Sequence, residues 1–143
     1  MLNAVIIDDE RHCIETLVWK LNEYCSSVKI LGQFQKSIEA IDFIKKTPNI
    51  DILFMDIEMP NINGFEMLKF IDTHNVKIVL TTAYEKYALD ALKMHVYDYL
   101  LKPIDQLELI KLVTNIEHEH DLRKLPVNAK KVISISTQES IEF

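Results

Sequence analysis

Four apolar runs in this chain each end on a polar group, and that recurrence narrows the fold more than any other feature. Ala4-Val5-Ile6-Ile7 is followed by Asp8 and Asp9. Ile52-Leu53-Phe54-Met55 ends on Asp56, and Lys77-Ile78-Val79-Leu80-Thr81 ends on Thr82. Tyr97-Asp98-Tyr99-Leu100-Leu101 is followed by Lys102. If these runs are neighbouring parallel strands, all five groups meet at one edge of one sheet. Three carboxylates that close repel one another, so such a pocket asks for a divalent cation and leaves a place for a phosphoryl group.

The stretches between the runs are amphipathic. Ile14, Leu17, Val18 and Leu21 have the i, i+3, i+4, i+7 spacing of a helix over 11–25. A strand over 28–34 is broken by Gly32. A helix over about 37–47 takes Ser37 as its N-cap, with Pro48 just past its end. After the run at 52–56, Pro60 and Gly64 mark a loop, and a helix runs from there to about Asp72. A further helix covers about 85–94, with Tyr87, Ala91 and Leu92 towards the core. The last begins by Asp105 and carries Leu109, Leu112, Val113 and Ile116 on one face. Counting a first strand at 3–8, this is five β-α units, the pattern of a parallel sheet with helices on both faces. The almost purely apolar first and third runs suit its centre, and the mixed run at 28–34 suits an edge. Ligands of open sheets of this kind sit outside the carboxyl ends of the strands, where the five groups fall.

The 143 residues suit one ordinary domain, and 48% hydrophobic residues suffice for a core. Charge divides the chain. Residues 1–121 hold 12 Lys and Arg against 20 Asp and Glu, a balance of −8, and residues 122–143 hold 4 against 2, a balance of +2. The acidic body is unsuited to binding nucleic acid, whose affinity for proteins comes from neutralised phosphates. Cys13 and Cys25 lie roughly 18 Å apart along one helix at ~1.5 Å per residue, too far to bridge, and read as thiols of a reducing compartment. The first apolar run meets Asp8-Asp9 at once, which excludes a signal peptide, and no run reaches the ~18–20 apolar residues of a membrane span. The expected location is the cytoplasm, with no membrane partner. His118-Glu119-His120 reads as a solvated helix end, and Trp19 as packing or interface.

Four motifs in order, Ile6-Ile7-Asp8-Asp9-Glu10, Met55-Asp56-Ile57-Glu58-Met59-Pro60 with Gly64, Leu80-Thr81-Thr82-Ala83, and Tyr99-Leu100-Leu101-Lys102-Pro103, resemble the receiver domain of two-component response regulators. The resemblance covers residues 1–121. It implies a flavodoxin-like (βα)5 doubly wound sheet of strand order 2-1-3-4-5. The segment Thr81–Ala91 is similar to the subgroup that carries a LytTR-type DNA-binding domain. Residues 122–131 read as a basic linker. Ile133–Phe143 resembles the first strands of that second domain, so the reading is of a chain cut just inside it.

The resemblance also implies roles. Asp56 is the phosphoacceptor, receiving a phosphoryl group from a sensor histidine kinase. Asp9 and Asp56 bind Mg²⁺, Asp8 holds a metal-bound water, and the Glu58 backbone carbonyl adds an oxygen. Lys102 pairs with the phosphate, with the Thr82 hydroxyl and the Ala83 backbone N–H beside it. Thr82 and Tyr99 form the switch, and Pro103 follows a cis bond. Pairing of two copies is expected through the fourth helix, fifth strand and fifth helix, and DNA contact only through the missing domain. The domain is regulatory rather than an enzyme in its own right. Two other readings fit less of the sequence: a binding module that works without phosphorylation, and a Mg²⁺-dependent phosphohydrolase, which leaves the Asp8-Asp9 pair unexplained.

Overall fold

The computed structural model describes residues 1–126 and 128. Five strands, β1 (Leu2–Ile7), β2 (Val28–Phe34), β3 (Ile52–Asp56), β4 (Lys77–Thr82) and β5 (Asp98–Leu101), form one parallel sheet in the order β2-β1-β3-β4-β5. The helices between and after them are α1 (Arg11–Tyr24), α2 (Ser37–Lys46), α3 (Gly64–Met67), α4 (Ala88–Lys93) and α5 (Gln106–Arg123). A single 3-10 turn, Glu85–Tyr87, precedes α4. This is the flavodoxin-like order expected, with β3 at the centre and all five of its residues buried. A first compact unit, Met1–Ile110, holds the whole sheet, and a second begins at Lys111 within α5. The predicted strands beyond residue 131 lie outside the described residues.

Strand alternation builds the core. Val5, Ile7, Leu53, Met55, Ile78 and Leu80 point to one face, where they join Ala40 and Ile44 of α2, Met67 of α3 and Ala91 of α4 in one buried cluster. Ala4, Ile6, Ile52, Phe54 and Val79 alternate with them and are equally buried. The α1 stripe Ile14, Leu17 and Leu21 and the α5 stripe Leu109, Leu112, Val113 and Ile116 are buried as their spacing predicts.

At the edge, β2 carries one residue more than β1 opposite it. Ala4 pairs with Ile30 and Val5 with Gly32, so Leu31 bulges between them. The strand expected to be broken by Gly32 instead runs unbroken from Val28 to Phe34, with Gly32 paired and the bulge one residue before it. With only two glycines in the chain, other residues supply the left-handed turns. Asn49, Asn61, Asn75 and His95 have φ of 62°, 68°, 63° and 57°, and asparagine is the non-glycine residue that tolerates this region best.

Three further local expectations are corrected. The N-cap of α2 is Lys36, not Ser37. The Ser37 hydroxyl instead donates to the Ile62 carbonyl at 2.6 Å, tying α2 to the loop after β3. The helix expected to reach Asp72 stops at Met67, because the next amides, Lys69 and Phe70, turn back only three residues, to the Glu66 and Met67 carbonyls. Leu92 is 73% exposed, since Ala91 takes the inward position of α4 and the next residue lies about 100° further round.

Short as it is, α3 has a full capping box. Asn63 Oδ1 accepts from Glu66 N at 2.9 Å, and Glu66 Oε1 accepts from Asn63 N at 3.1 Å. Asn63→Ala is expected to cost about 1 kcal/mol. A urea midpoint unchanged from wild type would show that the loop holds α3 without its cap.

Candidate functional site

Sheet register brings the five polar groups together. Ile7 pairs with Met55, so Asp8 stands one step beyond, level with Asp56. Asp56 pairs with Thr81, and Thr82 with Leu101, the residue before Lys102. Backbone bonds carry the order past the strands: Asp8 N donates to Phe34 O, Ile57 N to Thr81 O and Lys102 N to Thr82 O. The edge expected from the sequence therefore exists, and it gathers Asp8, Asp9, Asp56, Thr82 and Lys102.

Asp8 and Asp56 are each 4% exposed, and Thr82 is fully buried. One carboxylate oxygen from each of Asp8, Asp9 and Asp56 lies within 4.8 Å of the others. Lys102 Nζ sits 2.7 Å from Asp8 Oδ2 and 3.4 Å from Asp56 Oδ1. Burial first, and then the Asp8 charge, push the Asp56 carboxyl up to about 7, against the pull of Lys102. Burial works against the Lys102 ammonium, but the Asp8 hydrogen bond and the Asp56 charge outweigh it and hold its pKa at about 12. An all-carboxylate set with one member driven towards its neutral form is under-supplied with positive charge. Its hard oxygen donors fit a cation such as Mg²⁺.

Local turns aim these groups. Asp8 Oδ1 accepts from Glu10 N at 3.0 Å, and Asp56 Oδ1 from Glu58 N at 3.3 Å. Close approach at Gly64 holds the loop after Asp56. A Cβ there would meet the Asp56 carbonyl oxygen at 2.7 Å and Ile57 Cα at 3.0 Å, both backbone atoms. The peptide bond Lys102–Pro103 is cis, as expected.

Further groups of the expected site make contacts of their own. Ala83 lines the cleft over the acids, but the Thr82 hydroxyl oxygen is met by the next amide, Tyr84 N, at 3.1 Å. The Glu58 side chain accepts from the Thr82 hydroxyl at 3.4 Å. Tyr99 is half-buried and packs against the cluster that contains Leu80 and Ala91. Lys20, which no motif marks, donates from Nζ to the Ile104 carbonyl and so ties α1 to the loop after Pro103. No short-range pattern could have found it, because the partners are 84 residues apart. The cleft itself has a volume of about 490 Å³ and runs from Asp56 and Lys102 to the start of α1. Among the described residues no helix is long and apolar enough to cross a membrane.

The response regulator receiver domain family matches residues 4–114. An uncharacterized response regulatory protein of Vibrio cholerae is 39% identical over 121 residues, covering 84% of this chain and 50% of that protein. The transcriptional regulatory protein BtsR of Escherichia coli (strain K12) is 39% identical over 132 residues, covering 90% of this chain and 54% of BtsR. The chain thus spans about half the length of these curated relatives. The crystal structure of the response regulatory domain of mrkE from Klebsiella pneumoniae superposes with a TM-score of 0.75 at 25% identity, covering 82% of this chain and 97% of that one.

Proposed function

The chain belongs to the response regulator receiver domain family, a regulatory domain of two-component systems, and from that premise we propose that Asp56 is its phosphoacceptor. The observation that carries the reading is the pairing of a buried carboxylate with a half-buried ammonium, Asp56 with Lys102, inside a cluster of two further aspartates. An Asp56 carboxylate oxygen attacks the phosphorus of a phosphohistidine on a sensor histidine kinase. The new O–P bond forms, the N–P bond breaks, and the electron pair leaves with the imidazole. Asp8, Asp9, Asp56 and the Glu58 carbonyl are the groups that would hold Mg²⁺. When bound, that ion neutralises the carboxylates so that an anionic phosphoryl group can approach.

The chain's own residues do the rest. Lys102 supplies a fixed positive charge for the phosphate oxygens. Thr82 has its hydroxyl at the strand end, where it can exchange its weak 3.4 Å bond to Glu58 for one to a phosphate oxygen. The Ala83 N–H serves the same group. Phosphorylation adds about −1.5 to −2 charges here. Movement of Thr82 alters the space beside β4 into which Tyr99 can turn, so the pair couples the site to the α4–β5 surface. Leu89 and Leu92 of α4 are 60% and 73% exposed, which supports pairing of two copies on that side. A LytTR-type DNA-binding domain after residue 131 is the output we assign. The resemblance of the tail supports it, as do relatives named as transcriptional regulators that are about twice as long.

The test is the intact mass after incubation with acetyl phosphate and Mg²⁺. One added phosphoryl group is expected, absent with EDTA and absent from Asp56→Asn. Addition that persists in Asp56→Asn would move the acceptor to another residue.

A further inference from the structure

A second cluster of donor atoms lies in the same cleft and takes no part in the chemistry above. Glu10, His12 and Cys13 converge where the loop after β1 enters α1. His12 Nε2 is 3.4 Å from Glu10 Oε2, Cys13 Sγ is 3.6 Å from His12 Nε2, and Cys13 Sγ is 3.8 Å from Glu10 Oε2. Tetrahedral zinc, with bonds of about 2.0–2.1 Å to nitrogen, about 2.0–2.2 Å to oxygen and about 2.3 Å to sulfur, sets donor–donor edges of about 3.3–3.7 Å. The observed triangle therefore matches one face of that tetrahedron to within about 0.2 Å, the tolerance expected of real sites.

We propose that Glu10, His12 and Cys13 bind Zn²⁺ through one carboxylate oxygen, one imidazole nitrogen and one thiolate, with the fourth position open to solvent. The donor set separates the two clusters. Asp8, Asp9 and Asp56 offer oxygen only and suit a hard ion, whereas nitrogen and sulfur select a borderline transition ion. The backbone is already shaped for it. Glu10 N is held by the Asp8 carboxylate at 3.0 Å, and Cys13 N donates to the Glu10 carbonyl at 3.1 Å, which sets two ligands one helical turn apart. The His12 and Glu10 side chains are 76% and 57% exposed, so an ion reaches them from solvent. Binding releases the Cys13 thiol proton to the buffer as the thiolate ligates.

Since Glu10, His12 and Cys13 share the cleft with Asp56 and Lys102, a dication there narrows the approach to the phosphoacceptor. This consequence, unlike the site, rests on the phosphoacceptor reading. Occupancy is expected to slow phosphoryl uptake.

The full chain, kept reduced, is titrated with Co²⁺ while its thiolate-to-cobalt absorption is followed, and with Zn²⁺ against a chromophoric chelator. The cobalt band is expected in wild type and in Asp9→Asn, and is expected to vanish in Cys13→Ser. Zinc affinity should fall at least about 100-fold in His12→Ala, since even changes outside the ligand shell typically cost about 10–100-fold. No band in wild type, or a band that survives Cys13→Ser, overturns the site. At fixed Mg²⁺ and acetyl phosphate, Zn²⁺ should slow mass addition in wild type but not in Cys13→Ser or His12→Ala. Equal slowing in all three overturns the narrowing of the cleft. If the protein takes up no phosphoryl group even without Zn²⁺, the phosphoacceptor reading fails, and the cobalt band still decides the metal site.

Discussion

Asp56→Asn is expected to make the domain more stable in the absence of Mg²⁺ at pH 8, by about 3 kcal/mol, while removing phosphoryl uptake altogether. The Asp56 carboxyl stands at about 7 in the fold, against 3.8 as its ordinary value. A folded value raised in this way means that the fold prefers the protonated acid. The stability this group contributes is therefore full below about pH 4, and is lost as pH rises through about 7. A tenfold change in proton affinity is worth about 1.4 kcal/mol, and partial exposure to solvent trims the sum, which sets the scale of the effect. Asparagine keeps the shape and the acceptor for Glu58 N but removes the charge. Lys102 is not orphaned, because Asp8 remains 2.7 Å from it, and its own titration near 12 lies outside this window. Thermal melts at pH 5.5 and pH 8 check the sign. The variant should gain about 10 °C over wild type at pH 8 and roughly half of that at pH 5.5, which lies midway between the unfolded and folded values and where about half of the contribution is already lost. Added Mg²⁺ should close the gap at pH 8 by stabilising wild type more than the variant. A gap of the same size at both pH values would mean that the Asp56 charge is not what costs stability.

Gly64→Ala is expected to cost about 3 kcal/mol and to slow phosphoryl uptake about 100-fold, although residue 64 carries no functional group. The new methyl carbon would sit 2.7 Å from the Asp56 carbonyl oxygen, 3.0 Å from Ile57 Cα and 3.3 Å from the Asp56 carbonyl carbon. None of these is the far end of a side chain that can swing away. The contact is fixed on both sides, because Gly64 N donates to Ile57 O at 2.9 Å and Ile57 N donates to Thr81 O at 2.9 Å. Relief must come from moving the backbone of Asp56 and Ile57. Overpacking of this kind typically costs about 1–3 kcal/mol, and a displacement of about 1 Å at a reacting group can cost about 100-fold in rate. Urea midpoints and the time course of mass addition measure the two effects separately. Wild-type values for both would show that the loop yields without cost.

What can be read from the sequence is what strand register controls. Once Ala4–Ile7, Ile52–Met55 and Lys77–Thr81 are taken as parallel neighbours, the meeting of Asp8, Asp56 and Thr82 follows from counting, and the pairs Ile7 with Met55 and Asp56 with Thr81 bear it out. The stripes of α1 and α5 are equally visible, because 3.6-residue spacing survives in long helices. Short elements are not. In α3 and α4 fewer than two turns are present, so the period cannot set a phase, and it misplaces both the end of the first and the outward face of Leu92. Links between distant loops, such as Lys20 to Ile104 and Ser37 to Ile62, leave no spacing signal at all. The convergence of Glu10, His12 and Cys13 is hidden for another reason. Their separation in sequence is that of any helix entry, and only side-chain rotamers bring the three atoms together.

The bulge at Leu31 has a consequence beyond local geometry. A sheet of five parallel strands leaves two outer strands whose unused amides and carbonyls could template a strand from another molecule. In the described residues one of these is β5, only four residues long and opened by the exposed Asp98. The other is β2, seven residues long and the greater hazard. Its extra residue shifts the spacing of its outer rungs halfway along, and the exposed Lys29 sets a charge before that point. An intruding strand could match one half or the other but not run the full length. The irregular edge therefore denies a neighbouring molecule an unbroken template beside so apolar a sheet centre.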